Sequence, residues 1–99
     1  MNIDKNKTRG IIDLCQQHMV KELSLFGSFL TDDANAESDI DLLVEFKEID
    51  VLDYFDNFMD FKEKLEILLE RKIDLVENKA IRNPIFRQSI DRNKQLIYG

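Results

Sequence analysis

Gly27-Ser28, ten further residues, and then Asp39-Ile40-Asp41-Leu42-Leu43-Val44-Glu45-Phe46 form the stretch on which the reading of this 99-residue chain turns. Its second half is the clearest strand in the sequence. Side chains alternate across a sheet, so Ile40, Leu42, Val44 and Phe46 belong to one face, and Asp39, Asp41, Leu43 and Glu45 to the other. The two aspartates therefore share a side. Gly27 closes an apolar run, Glu22 to Phe26, that reads as a short preceding strand. The segment Thr31 to Ser38 between them is rich in turn and capping residues and reads as a loop or short helix.

Outward from this centre, Ile11, Ile12, Leu14, Cys15, Met19 and Val20 recur at near-helical spacing and predict a first helix from about Lys5 to Met19. On the other side Asp50 is a good N-cap. Val51, Leu52, Phe55, Phe58, Met59, Leu65, Leu68 and Leu69 follow at spacings of three and four, which predicts a long helix over Val51 to Glu70. Ile73 to Glu77 reads as another short strand. Asn83-Pro84 supplies a cap and a proline at the first helical position, opening a final helix to about Arg92. Lys94 to Tyr98 is then available as a last edge strand. This order predicts an α/β (α+β) fold, a small mixed sheet packed with helices, as one domain over residues 1–99.

Composition narrows the function classes. A hydrophobic content of 43% suffices for one core without disulfides or a structural metal. The formal net charge of -6 argues against extensive nucleic-acid binding, which relies on clustered Lys and Arg to neutralise phosphates. The single cysteine, Cys15, cannot form an internal disulfide, and the longest apolar runs fall far below a membrane span. Met1 to Lys5 lacks a signal-peptide stretch, so the cytoplasm is the expected location.

The central stretch also carries chemistry. Glycine at a strand end allows close backbone approach to a ligand, and Ser28 offers a hydroxyl and an N–H to phosphate oxygens. Two aspartates on one strand face, roughly 6 to 7 Å apart at Cα, can hold the two Mg2+ ions of a phosphoryl-transfer site. Asp74 stands alone among Ile73, Leu75 and Val76, and on a neighbouring strand it becomes a third carboxylate able to bind metal and help deprotonate an attacking hydroxyl. Without a cation, such carboxylates repel by roughly 4 kcal/mol per pair at about 4 Å and an effective dielectric near 20. The cluster predicts a metal.

The run LFGSF, the strand DIDLLVEF and the helix leading to RKIDLVE resemble the minimal nucleotidyltransferase (MNT) family of the DNA polymerase β-like superfamily, over about Val20 to Tyr98. The resemblance implies a polymerase β palm-like fold and transfer of AMP from ATP to a hydroxyl with release of pyrophosphate. It places the triphosphate at Gly27 and Ser28, both Mg2+ ions at Asp39 and Asp41, and the catalytic-metal site's completion at Asp74. Many members act as antitoxins beside a helical HEPN ribonuclease, which implies a HEPN toxin as partner and one of its tyrosines as acceptor. The toxin's own Arg-x4-His motif is missing here, because Asp13 stands five positions before His18, the only histidine.

This chain departs from its relatives after Ser28, where Phe29-Leu30-Thr31-Asp32-Asp33 replaces a run that commonly carries Arg and Gly. That change would either weaken triphosphate binding or leave it to Arg82, Arg87 or Lys72. Two alternatives follow: an MNT fold that neutralises its partner by binding alone, and transfer to a small-molecule acceptor whose pocket self-association would have to complete. Tyr54, Phe58 and Phe61 read first as core filling and second as a partner surface. Cys15 and His18 have no partner spacing for metal or nucleophilic work, so they read as packing or surface residues.

Overall fold

A computed structural model describes residues 5–26 and 40–99. The elements are α1 (Lys5–Gln17), β1 (Val20–Phe26), β2 (Ile40–Phe46), α2 (Val51–Leu69), β3 (Ile73–Glu77), a 3-10 turn (Asn78–Ala80), α3 (Pro84–Asn93) and β4 (Gln95–Tyr98). The strands form one mixed sheet in the order β3-β2-β1-β4. β2 pairs antiparallel with β1 and parallel with β3, and β4 lies antiparallel on the far side of β1. The parallel pair requires a crossover, and α2 supplies it.

The alternation of β2 sets the two layers. Ile40, Leu42, Val44 and Phe46 pack with Leu23, Leu25, Ile73 and Leu75 against Ile11 and Cys15 of α1 and Phe61, Leu65 and Leu69 of α2. On the opposite face Phe26 and Leu43 pack beneath Ile90 of α3, with Val76 and Ile81 beside them. Phe61 is fully buried, and its ring meets those of Phe46 and His18. Tyr54 and Phe58 also pack edge-on against Phe46, so this aromatic group fills the core. The exposed apolar residues of α2 are others, including Leu52 and Phe55.

Helix ends follow local chemistry. Asp50 accepts from the Leu52 N–H at 3.1 Å, and Asn83 accepts from Ile85 N–H at 2.9 Å with Pro84 just inside the helix. Both caps are where the sequence places them. α1 stops at Gln17, two residues before the expected Met19, because Met19 takes a left-handed conformation (φ 60) that breaks the helix. Its carbonyl accepts from Lys47 N–H at 2.7 Å, and the His18 carbonyl accepts from Asn57 Nδ2 at 2.8 Å, so the turn is tied to β2's end and to α2. α2 ends at Leu69 rather than Glu70, since Glu70 itself is the left-handed cap (φ 54). β1 begins at Val20, earlier than Glu22, and β4 begins at Gln95.

Among the described residues, no helix is long and apolar enough to cross a membrane.

Candidate active site

Asp41 lies near the start of β2, on the α3 side of the sheet, because its neighbours Ile40 and Leu42 take the α1/α2 side. Asp74 lies near the start of β3 between buried Ile73 and Leu75 and is itself exposed. The parallel register pairs Asp41 directly with Asp74. Directly registered residues share a face, so the two carboxylates emerge side by side at one end of the sheet. A hydrogen bond of 3.0 Å from Ile40 N–H to the Lys72 carbonyl extends the ladder to this end.

On the other side of Asp41 stands Phe26, its antiparallel partner in β1. Phe26 is buried, with Phe86 of α3 edge-on at 6.4 Å between ring centroids. One flank of the carboxylate pair is therefore apolar.

The other predicted site residues, Gly27, Ser28 and Asp39, lie outside the described residues. Among the described residues no group of three or more His, Cys, Asp or Glu gathers as a metal site. Two carboxylates on adjacent strands are nevertheless hard oxygen donors of the kind Mg2+ takes.

Of the basic residues considered for phosphate, Arg87 is committed elsewhere. Its Nη1 donates to Asn78 Oδ1 and its Nη2 to the Asn78 carbonyl, each at 2.6 Å. Asn78 Nδ2 in turn donates to Glu45 Oε1 at 2.9 Å, and Lys21 Nζ lies 3.3 Å from Glu45 Oε2. The Asn78 hydrogen bond, followed by the Lys21 contact, holds the Glu45 carboxyl below its ordinary range despite partial desolvation. Residue spacing alone gives no sign of this chain of contacts, which joins β2, the turn after β3, and α3. Lys72 and Arg82 remain exposed.

Comparisons with known proteins agree with this architecture. The family model described as polymerase beta, nucleotidyltransferase matches residues 9–99. The Methanocaldococcus jannaschii protein MJ1379, which carries a provisional protein adenylyltransferase name, is 39% identical over 85 residues, covering 86% of this chain and 82% of the relative. The protein adenylyltransferase MntA of Thermococcus cleftensis is 36% identical over 73 residues, covering 74% and 71%. Among solved structures, a toxin–antitoxin complex with AMP-PNP superposes with a TM-score of 0.71 at 23% identity, over 98% of this chain and 74% of that one. A complex of tri-AMPylated Shewanella oneidensis HEPN toxin with its MNT antitoxin gives 0.66 at 20%, over 98% and 73%. These two likenesses concern the fold. With the family model spanning nearly the whole chain and relatives above 30% identity matched over most of their length, this chain belongs to the polymerase beta nucleotidyltransferase family.

Proposed function

We propose that this chain is a Mg2+-dependent adenylyltransferase that moves AMP from ATP onto a tyrosine of a cognate HEPN toxin and so acts as its antitoxin, in the cytoplasm and as a single minimal domain. The observation that carries this reading is the direct pairing of Asp41 with Asp74 in a chain of this family. Support for the acceptor comes from the protein adenylyltransferase names of the relatives and from the AMPylated toxin in a complex of like fold. Support for the nucleotide comes from the AMP-PNP bound in another.

In this reading Asp39, Asp41 and Asp74 would hold two Mg2+ ions, which supply charge neutralisation at the triphosphate and lower the pKa of the attacking hydroxyl. Gly27 and Ser28 receive the phosphates. Asp74, exposed at the edge strand, would take the acceptor's proton. The acceptor oxygen bonds to the α-phosphorus, the bond from that phosphorus to the bridging oxygen breaks, and pyrophosphate leaves with the electron pair.

Incubation with labelled ATP, Mg2+ and the toxin tests the reading. The parent chain should label the toxin and the Asp39→Asn/Asp41→Asn double variant should not; equal labelling by both sinks the mechanism. A second reading, neutralisation by binding alone, is favoured by the commitment of Arg87 to Asn78 in a chain that has no basic residue between Ser28 and Asp39. Nucleotide titration separates the two, since tight toxin binding without ATP binding supports the second.

A further inference from the structure

We infer that Asn78 and Arg87 are positioning residues that lock the register of β2 on β3 and thereby hold Asp41 opposite Asp74. Backbone pairing between these strands runs from Ile40↔Ile73 to Val44↔Glu77. The next step along both strands brings Glu45 opposite Asn78, and there the pairing continues through side chains, Asn78 Nδ2 donating to Glu45 Oε1 at 2.9 Å. Arg87 reaches from α3 and donates to both the side-chain and main-chain oxygens of Asn78 at 2.6 Å. Only one orientation of the Asn78 amide satisfies both neighbours, with oxygen toward the guanidinium and nitrogen toward the carboxylate. Each contact fixes the other.

A lock is needed because β3 has five residues and is an edge strand. A slip by one residue would carry Asp74 to the helix-packed face and is excluded by burial of Ile73 and Leu75. A slip by two residues keeps every side chain on its own face, so alternation penalises it only at the strand ends. It would nevertheless separate the two carboxylates by about 6.6 Å along the strands. At the other end of β3, Glu66 Oε2 accepts from Ile73 N–H at 3.0 Å, but that bond ties β3 to α2 and not to β2. The Glu45–Asn78 bond ties β2 to the first residue after β3 and so continues the pairing of the two aspartate-bearing strands.

The consequence for metal binding rests on the reading of Asp41 and Asp74 as ligands; the register itself does not. The test therefore measures both, with Mn2+ as the spectroscopic probe. Cross-strand nuclear Overhauser contacts between Hα and amide protons of β2 and β3 around Asp41 and Asp74 report register without metal, and Mn2+ titration followed by electron paramagnetic resonance reports affinity. Asn78→Ala and Arg87→Ala should weaken or lose the cross-strand contacts and lower Mn2+ affinity about tenfold, the scale seen when residues supporting metal ligands are removed. Glu45→Gln keeps the accepting oxygen and should stay within about twofold of the parent. If Asn78→Ala does not fold, Arg87→Lys carries the same test, because an ammonium cannot span both Asn78 oxygens in the fork geometry. Retention of the cross-strand contacts and of parent-like affinity in these variants overturns the lock. Failure of the parent itself to bind Mn2+ removes the metal reading, while the cross-strand contacts still decide the lock.

Discussion

Asp41 and Asp74 face each other across the parallel β2–β3 pair, one step in from the beginning of each strand. Like charges directly opposed on adjacent strands destabilise a sheet to the extent that no cation or other partner offsets them. Replacing Asp74 by Asn should therefore raise thermal stability in chelator, by roughly 0.5 to 1 kcal/mol given the exposure of Asp74, while AMP transfer falls at least about a hundredfold. Melting curves with and without Mg2+ check this, since Mg2+ should stabilise the parent more than the variant. A variant less stable than the parent in chelator would show that the two carboxylates do not repel.

Asp60 offers a pH-dependent counterpart. Its Oδ2 lies 2.7 Å from His18 Nε2 and 2.9 Å from Lys64 Nζ, while His18 Nδ1 donates to the Leu14 carbonyl at 2.7 Å. The hydrogen bond from His18, then that from Lys64, lowers the Asp60 pKa. A carboxylate depressed in the folded state contributes stability that is present above its unfolded pKa, near 4, and lost as pH falls through the lower folded value. Denaturation free energies measured from pH 6 downward should decline less steeply for Asp60→Asn than for the parent below about pH 4. Identical acid limbs would show that the α1–α2 connection does not depend on this charge.

Cys15 should be chemically silent in the native fold. It is fully buried on α1, and desolvation pushes its thiol pKa up to about 12. At pH 8 roughly one thiol in ten thousand would be ionised even if reagent reached it. Alkylation should therefore proceed at the rate of unfolding, and denaturant should accelerate it in step with the unfolding transition. Fast labelling of the folded protein would contradict the α1 packing.

Glu70 ends α2 in a left-handed conformation, φ 54, where a side chain is costly. Glu70→Gly should raise stability by about 1 kcal/mol, because glycine adopts this cap without the Cβ penalty. Urea denaturation measures it, and a loss of stability would mean that the Glu70 side chain contributes more than its backbone strain costs.

The parts of this fold that follow short-range rules can be read along the chain. The alternation of Ile40 to Phe46 already divides the sheet into its two faces, and Asp50 and Asn83-Pro84 mark two helix starts by their capping chemistry. That Asp41 shares a face with a lone aspartate further on is likewise legible once both strands are seen. Met19 is different: it terminates α1 in a left-handed turn without glycine, held by Lys47 and the α2 residue Asn57 that binds the adjacent carbonyl, so its cause lies in distant residues. Arg87 shows the same limit, since an arginine on a helix near a site suits phosphate as well as it suits Asn78. Only register and helix placement distinguish the two. Leu52 and Phe55 are exposed while Tyr54 and Phe58 pack on Phe46, a division that apolar spacing alone does not draw.

The crossover through α2 has a temporal meaning as well as a spatial one. β1 and β2 form an antiparallel pair, but β3 reaches β2 only after the chain has passed through the whole of α2. Long-range parallel pairings of this kind form late, because the intervening chain must be ordered before they repay its entropy. A nascent or partly folded chain thus carries Asp41 without its opposite number. The pairing of Asp41 with Asp74 therefore exists only once β3 has docked, and a chain folded no further than α2 lacks the second carboxylate.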